Sequence, residues 1–176
     1  MKEGSPYLAG YSFAPDGGCA PDAHPWIHIA PGDRRTVTIL SANHIGAMIH
    51  WYAGRSIGCA GATCPPIIHA RSARYRVYLP VFSHKTMRIS YVELPESSLS
   101  TLTAQTASRK TLRGTIITIA RAGSHRTCAP TLTIHPAIDQ APLPESPKML
   151  AYLVTQWQRA TASVLRIEIE PENEEE

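Results

Sequence analysis

The segment that most constrains this chain is residues 50–76, HWYAGRSIGCAGATCPPIIHARSARYR. It holds two of the four cysteines, two of the eight histidines and four arginines. The middle of this segment is too rich in Gly, Cys and Pro to continue as a helix or a strand. Runs of β-branched and aromatic residues lead into it and out of it, as is typical of strands. The pattern therefore predicts an elaborated loop that carries the chemistry of a β-rich body.

Short runs with strand character recur along the chain, separated by turn residues. They lie at residues 36–40, 47–57, 74–82, 87–94, 112–121 and 130–135. After the fourth run, residues 95–110 carry capping serines and paired leucines, which predict one short helix. Ser146 followed by Pro147 is a helix start signal near the C-terminus.

This order of elements predicts a mainly β fold: an OB-like five- to six-stranded antiparallel barrel with one short internal helix and a C-terminal helix. A β-sandwich and a mixed α+β sheet fit the same order, so both stay open. The expected segments are an extended N-terminal arm at 1–33, the barrel at 34–137, a Pro-rich linker at 138–147, a helix at 148–166 and an acidic tail at 167–176. We expect Tyr11, Phe13 and Trp26 to pin the arm to the barrel.

The charge is distributed unevenly along the chain. The formal net charge is +3, but the last nine residues, EIEPENEEE, hold six of the 14 acidic residues. The rest of the chain therefore carries 17 basic residues against eight acidic ones. This balance indicates a surface for a polyanion and a tail that competes for it or recruits partners. A tail that only aids solubility is the open alternative.

The sequence gives no indication of a membrane partner. No apolar run approaches the roughly 20 residues that a membrane span needs. The first 18 residues, MKEGSPYLAGYSFAPDGG, lack the apolar core of a secretory signal. We therefore expect a cytoplasmic protein whose cysteines are thiols or metal ligands rather than disulfides.

Cys59 and Cys64 are the clearest candidate metal ligands. Zinc takes four soft or borderline ligands in a tetrahedron, and two cysteines on a tight turn supply two of them. His69 and His50 are the candidates that complete the set, with the two distant cysteines as further possibilities. Because no second cysteine pair lies nearby, the competing interpretation is that Cys59 and Cys64 are small buried thiols.

Basic and aromatic residues support a second hypothesis. A protein that holds single-stranded nucleic acid needs cations for the phosphates and flat side chains on which bases stack. The candidates are Trp51, Tyr52, Arg55, Arg71, Arg74, Tyr75, Arg76, Tyr78, Arg113, Arg121 and Arg126. Strand alternation over 74–82 places Arg74, Arg76 and Tyr78 on one face, with an apolar face opposite. In the competing interpretation the aromatic residues pack in the core and the arginines form a solvated rim.

The run HWYAGRSIGCAGATCPPI, followed by YRVYLPVF, ELPESSLSTL and TLRGTIITIAR, resembles OB-fold single-stranded-DNA-binding proteins of bacteria and phages. In that layout a strand ending in HW-x2-GR leads into a Cys-containing knuckle and then into a barrel strand. The resemblance covers about residues 34–136 and the acidic tail, and it implies a basic barrel that binds single-stranded DNA. The chain departs from this layout after Cys64, because Pro65, Pro66 and Ile67 stand where a third cysteine would follow. The knuckle is therefore lost or relies on His69.

These patterns predict a non-enzymatic protein that binds single-stranded nucleic acid, DNA rather than RNA. No GxSxG, HExxH, P-loop or dinucleotide motif occurs, and the few acidic residues before the tail stand apart, which disfavours two-carboxylate chemistry. The alternative is protein–protein interaction or an assembly subunit, homo-oligomers included, that uses the N-terminal arm and the C-terminal helix. The apolar stripe of that helix would be Leu150, Leu153, Val154, Trp157 and Val164. A zinc- or thiol-dependent enzyme is the third possibility.

Overall fold

The computed structural model describes residues 24–52, 55–123, 129–136 and 142–169. The strands within them are β1 Arg34–Ile39, β2 Ile45–Tyr52, β3 Arg55–Gly58, β4 Arg74–Ser83, β5 Arg88–Pro95, β6 Ile116–Ala120 and β7 Thr131–Ile134. The α-helices within them are α1 Pro66–His69, α2 Leu99–Arg109 and α3 Met149–Ile169. None of the described helices is long and apolar enough to span a membrane.

The predicted mainly β, OB-like fold is confirmed, with α2 as the short internal helix and α3 as the C-terminal helix. The described strands number seven rather than five or six. One reason is that the predicted strand at 47–57 is a hairpin of β2 and β3, in which Tyr52 pairs with Arg55. The predicted segmentation into arm, barrel, linker, helix and tail stays a prediction.

The chain divides into two compact units. The second unit contains Asp22–Gly46 and Arg76–Met149, and its strands follow the order β5-β4-β1-β6-β7. Strand β1 is central, because it pairs antiparallel with β4 on one side and with β6 on the other. The core of this unit includes these buried aliphatic side chains: Val37, Ile39, Val77, Leu79, Val81, Leu94, Ile117 and Ile119.

The predicted alternation of an exposed basic and aromatic face with an apolar face at 74–82 is wrong for most of strand β4. From Val77 to Phe82 every residue is buried, so both faces of the strand are covered. Trp26 lies across one of them, with its ring centroid 6.0 Å from that of Tyr78 and 5.6 Å from that of Tyr91. The segment around Trp26 is held against β5, because Ile27 N donates to Tyr91 O and Tyr91 N donates to Pro25 O. Trp26 thus pins the end of the arm, whereas Tyr11 and Phe13 lie outside the described residues.

The first unit contains Ala47–Tyr75 and α3 from Leu150 onward. On one face of its β-hairpin, Ile57 and Ile68 are buried together with Tyr52 packed against them. At Gly58 the opposite face is covered by Trp157 of α3, since a Cβ atom added to Gly58 would lie 2.6 Å from Trp157 Cε3. Glycine at position 58 therefore lets the helix approach the strand.

We predict that Gly58→Ala lowers the free energy of unfolding by about 1–3 kcal/mol, because the added methyl group overpacks the contact with Trp157. Urea denaturation measures this cost. The matched control is the same substitution in a Trp157→Leu background, where the smaller side chain leaves room for the methyl group. An equal cost of Gly58→Ala in both backgrounds would contradict the assigned contact.

Helix α2 ends at Lys110, which adopts the left-handed conformation with φ of 61° and donates its N–H to Thr106 O. Non-glycine residues are strained there, whereas glycine is not. We predict that Lys110→Gly raises the free energy of unfolding by roughly 0.5–1 kcal/mol. Arg109→Gly removes the same charge one residue earlier, inside the helix, and should lower it. A shift of the melting temperature in the same direction for both variants would count against this capping role.

Candidate functional site

The β2–β3 hairpin positions the first two candidate ligands. His50 of β2 pairs with Ile57 of β3, and the last pair of the hairpin is Ile49 with Gly58. Cys59 continues the same strand direction, because its N–H donates to Met48 O over 2.8 Å. Cys59 is therefore held beside β2 by backbone pairing.

A tight turn then returns the chain to His50. Residues Gly61–Thr63 form a 3₁₀ helix, and Cys64 N donates to Gly61 O over 3.1 Å. Gly61 has a φ of +64°, a conformation in which a residue with a Cβ atom is strained. Ala60 N also donates to Cys64 Sγ over 3.1 Å, so the sulfur is fixed within the turn.

His50 is buried and oriented by the main chain. Its Nδ1 lies 2.7 Å from the carbonyl oxygen of Arg71. A carbonyl oxygen only accepts, so Nδ1 carries the hydrogen and Nε2 of the neutral ring keeps its lone pair. Nε2 lies 3.7 Å from Cys64 Sγ. Sequence analysis missed the role of Arg71, because a backbone carbonyl leaves no trace in residue identity.

The three side chains form a group that is close enough to hold a metal ion. The ligand atoms of His50, Cys59 and Cys64 all lie within 4.8 Å of one another, and the two sulfurs are 4.0 Å apart. Two ligands on one tetrahedral ion lie roughly 3.5–3.8 Å apart when the metal–ligand bonds are about 2.0–2.3 Å. The His50–Cys64 and Cys59–Cys64 spacings, 3.7 and 4.0 Å, need only a small contraction, and the His50–Cys59 spacing is at most 4.8 Å. The hydrogen bond to Arg71 O is the kind of outer contact that orients a metal-bound histidine.

Burial raises the pKa of the Cys64 thiol, and the N–H of Ala60 opposes this shift only in part. Without a metal ion the thiol is therefore neutral at neutral pH. A metal ion binds the thiolate, so binding displaces the proton. The affinity for metal is accordingly expected to rise with pH over the range in which the thiol of the metal-free protein ionises.

The remaining predicted ligand lies elsewhere. His69 is an exposed residue at the end of α1, and it is not part of the group formed by the described ligand atoms. Its neighbour Ile68 points into the core with no exposed surface, which directs His69 outward. Cys19 and Cys128 lie outside the described residues. The described residues thus supply three candidate metal ligands.

The residues predicted to bind nucleic acid in the first unit differ in exposure. Trp51 is 63% exposed, and Arg71 and Arg74 are exposed as well. Tyr52 and Tyr75 are half-buried, and Tyr52 packs against the Ile57–Ile68 cluster. The backbone of Arg55 pairs with β2; its side chain is not among those that the structure describes.

The predicted residues in the second unit are mostly engaged within the protein. Tyr78 is 1% exposed, so its proposed role in stacking bases is wrong. Burial raises its pKa, which keeps the phenol neutral. Arg76 donates from Nε to Glu93 Oε1 over 3.0 Å. Arg121 is half-buried, and Arg126 lies outside the described residues.

The predicted role of Arg113 in nucleic-acid binding is also corrected, because its guanidinium holds segments of the main chain together. It donates to the carbonyl oxygens of Leu40, Leu143 and Pro144. Three bonds to the main chain leave the group committed to holding these segments together. At least three of its five N–H donors face the main chain, so its main role is structural rather than phosphate binding.

Comparison of the chain with protein-family models, with curated proteins and with solved structures finds no match.

We predict that the protein binds one Zn²⁺ or Co²⁺ per chain at the His50–Cys59–Cys64 group. Titration with Co²⁺ should produce the thiolate-to-metal charge-transfer absorption that marks cysteine ligation. His50→Ala and Cys64→Ser should each weaken binding by more than about tenfold, since losing a ligand costs at least as much as losing an outer contact.

His69→Ala is the matched control, because it removes an imidazole from the same segment without touching the group. It should leave the Co²⁺ spectrum and the affinity unchanged. If His69→Ala weakens binding as much as His50→Ala does, the ligand assignment is wrong.

Proposed function

We propose that this protein is a zinc-braced, non-enzymatic module that binds single-stranded nucleic acid, DNA in preference to RNA. The observation that carries the proposal is the exposure of Trp51 on β2, directly after the candidate ligand His50. A 63% exposed tryptophan is unusual, because large aromatic side chains contribute most when they are covered. Stacking of a base on the indole would cover it and would contribute about 1–3 kcal/mol.

The charge around Trp51 favours a polyanion. The sequence from 47 to 75 contains Arg55, Arg71 and Arg74 and no Asp or Glu. The acidic-free stretch extends from Arg34 to Val92. Such a stretch attracts phosphates, and the attraction depends strongly on salt because counterions are released.

The metal site supports this surface mechanically. We infer that the ion is zinc, because two thiolates and one imidazole are soft to borderline ligands that suit it. Zinc would join the turn at Cys64 to β2 at His50. Successive residues of a strand point to opposite faces, so His50 lies on the face of Ile57 while Trp51 lies on the face of Gly58. Trp157 covers that second face at Gly58, but Trp51 itself stays 63% exposed. Removal of the ion is therefore expected to loosen the strand that carries Trp51.

The acidic tail belongs to this proposal as a segment that competes for the basic surface or recruits partners. Residues 170–176 lie outside the described part of the chain. The proposal for them rests on their composition, PENEEE after Glu170.

The alternative function, a protein-interaction or assembly subunit, was based on surfaces that the protein covers itself. Within the described part of α3, Leu153 and Trp157 are buried, and Trp157 packs against Gly58 of the same unit. The described end of the arm is likewise paired with β5 through Pro25 and Ile27. These contacts leave fewer apolar groups for a partner, so the nucleic-acid proposal is better supported.

We predict that a fluorescent 30-residue DNA oligonucleotide binds the full chain, with an affinity that falls steeply between 50 and 200 mM salt, by about tenfold or more, as phosphate contacts require. Trp51→Ala should weaken binding by about 5- to 150-fold, since that is the stacking contribution of one base. Met87→Ala removes another exposed apolar side chain, 71% exposed, and should have no effect.

Fluorescence anisotropy with DNA and RNA of the same sequence measures both the affinity and the preference. Undetectable binding of both oligonucleotides even at low salt would sink the proposal. Equal losses for Trp51→Ala and Met87→Ala would remove Trp51 from it.

A further inference from the structure

Strands β1, β6 and β7 expose a row of hydroxyl groups that the site described above does not use. Thr36 pairs with Thr118 across β1 and β6, and Thr118 pairs with Thr133 across β6 and β7. Residues opposite one another in antiparallel strands share a face of the sheet. Arg34 precedes Thr36 by two residues and His135 follows Thr133 by two, so both lie on that face. We name Arg34, Thr36, Thr118, Thr133 and His135 the hydroxyl face.

This face is open, in contrast to the other side of the same strands. Arg34, Thr36 and Thr133 are exposed. The alternate residues Val37, Ile117 and Ile119 are buried, at 3%, 0% and 0% exposure. The strands thus cover the core with one side and present polar groups with the other.

A chain of hydrogen bonds links three members of the face. Thr36 Oγ1 lies 2.7 Å from Thr118 Oγ1, and Thr118 Oγ1 lies 2.7 Å from His135 Nε2. When Nε2 carries a hydrogen, it donates to Thr118, and Thr118 donates to Thr36. The hydroxyl hydrogen of the exposed Thr36 is then directed away from the chain, where it can be donated to an anion.

The charge of the face is positive. Strands β1, β6 and β7 contain no acidic residue. The carboxylate that precedes β1 in the chain, Asp33, is engaged by Arg35 at 2.8 Å and by the backbone N–H of Arg34. Arg35 lies on the opposite face of β1 from Arg34, and among the described residues the Arg34 guanidinium has no partner. The guanidinium can therefore serve an external anion without breaking an internal ion pair.

We propose that the hydroxyl face binds phosphodiester groups of the single-stranded nucleic acid, with Arg34 neutralising a phosphate and Thr36 donating a hydrogen bond to it. Arginine and threonine side chains are common donors to phosphate oxygens, and such contacts position the strand without reading its sequence. This inference rests on the proposed function, because it assigns a place to the phosphates of the same ligand.

The test compares Arg34→Ala with Arg35→Ala in the full chain. Both variants remove one positive charge from adjacent residues of one strand, but from opposite faces. Binding of the 30-residue DNA oligonucleotide is measured over a salt series. Arg34→Ala should weaken binding about tenfold and reduce the slope of log affinity against log salt by about one. Arg35→Ala should change the affinity by less than about threefold, because the Arg35 guanidinium already pairs with Asp33 and makes no contact with the bound phosphate, so only a screened charge is lost.

Thr118→Val provides a second variant that keeps the β-branched shape and removes the central hydroxyl. It should weaken binding by a few fold, with the melting temperature near that of the unmodified protein. If the unmodified protein binds DNA while Arg34→Ala and Arg35→Ala lose affinity equally, the hydroxyl face is not the phosphate site and the proposed function stands. If the unmodified protein binds no DNA at low salt, the proposed function fails and this inference fails with it.

Discussion

The hydrogen bond from His50 Nδ1 to the carbonyl oxygen of Arg71 closes residues 50–71 into a loop whose two ends are 2.7 Å apart at that contact. It connects a strand residue to the chain beyond α1, and it does so from a buried side chain. The same contact selects the ring tautomer that leaves Nε2 free for a metal ion. Support of the loop and preparation of the candidate metal site therefore depend on one interaction.

The cysteines add little stability by themselves. A thiol is a weak hydrogen-bonding group, and the contacts of Cys64 with His50 and Cys59, at 3.7 and 4.0 Å, are long. An ion at the centre of the group would replace these weak contacts by three bonds. The hydrogen bonds from Cys64 N to Gly61 O and from Ala60 N to Cys64 Sγ are what hold the glycine-rich turn in the structure itself.

In the second unit, the face of β4 that carries Arg76 and Tyr78 was predicted to be exposed, but Tyr78 is part of the core. Tyr78 and Tyr91 lie on neighbouring strands, and Trp26 packs edge-on or tilted against both. Aromatic pairs in such geometry are stabilising beyond their buried area. The arm residue thus removes from solvent a surface that the strand pattern predicted to be open. On β1, β6 and β7 the described residues provide no such cover, so the hydroxyl face stays exposed.

The sequence by itself determined the mainly β class, the short internal helix, the C-terminal helix and three of the four candidate metal ligands. These follow from local rules. Alternation predicts strands, capping residues predict helix ends, and two cysteines five residues apart on a tight turn predict a pair of metal ligands. The tertiary structure decided that His69 faces outward, that Tyr78 is buried and that Arg113 serves backbone carbonyls. Each of these outcomes depends on contacts between segments far apart in the chain. Trp26 reaches Tyr78 across about 50 residues, and Arg113 reaches Leu40 across 73. A local sequence pattern cannot predict such contacts, because the burial of a residue depends on which distant segments pack against it.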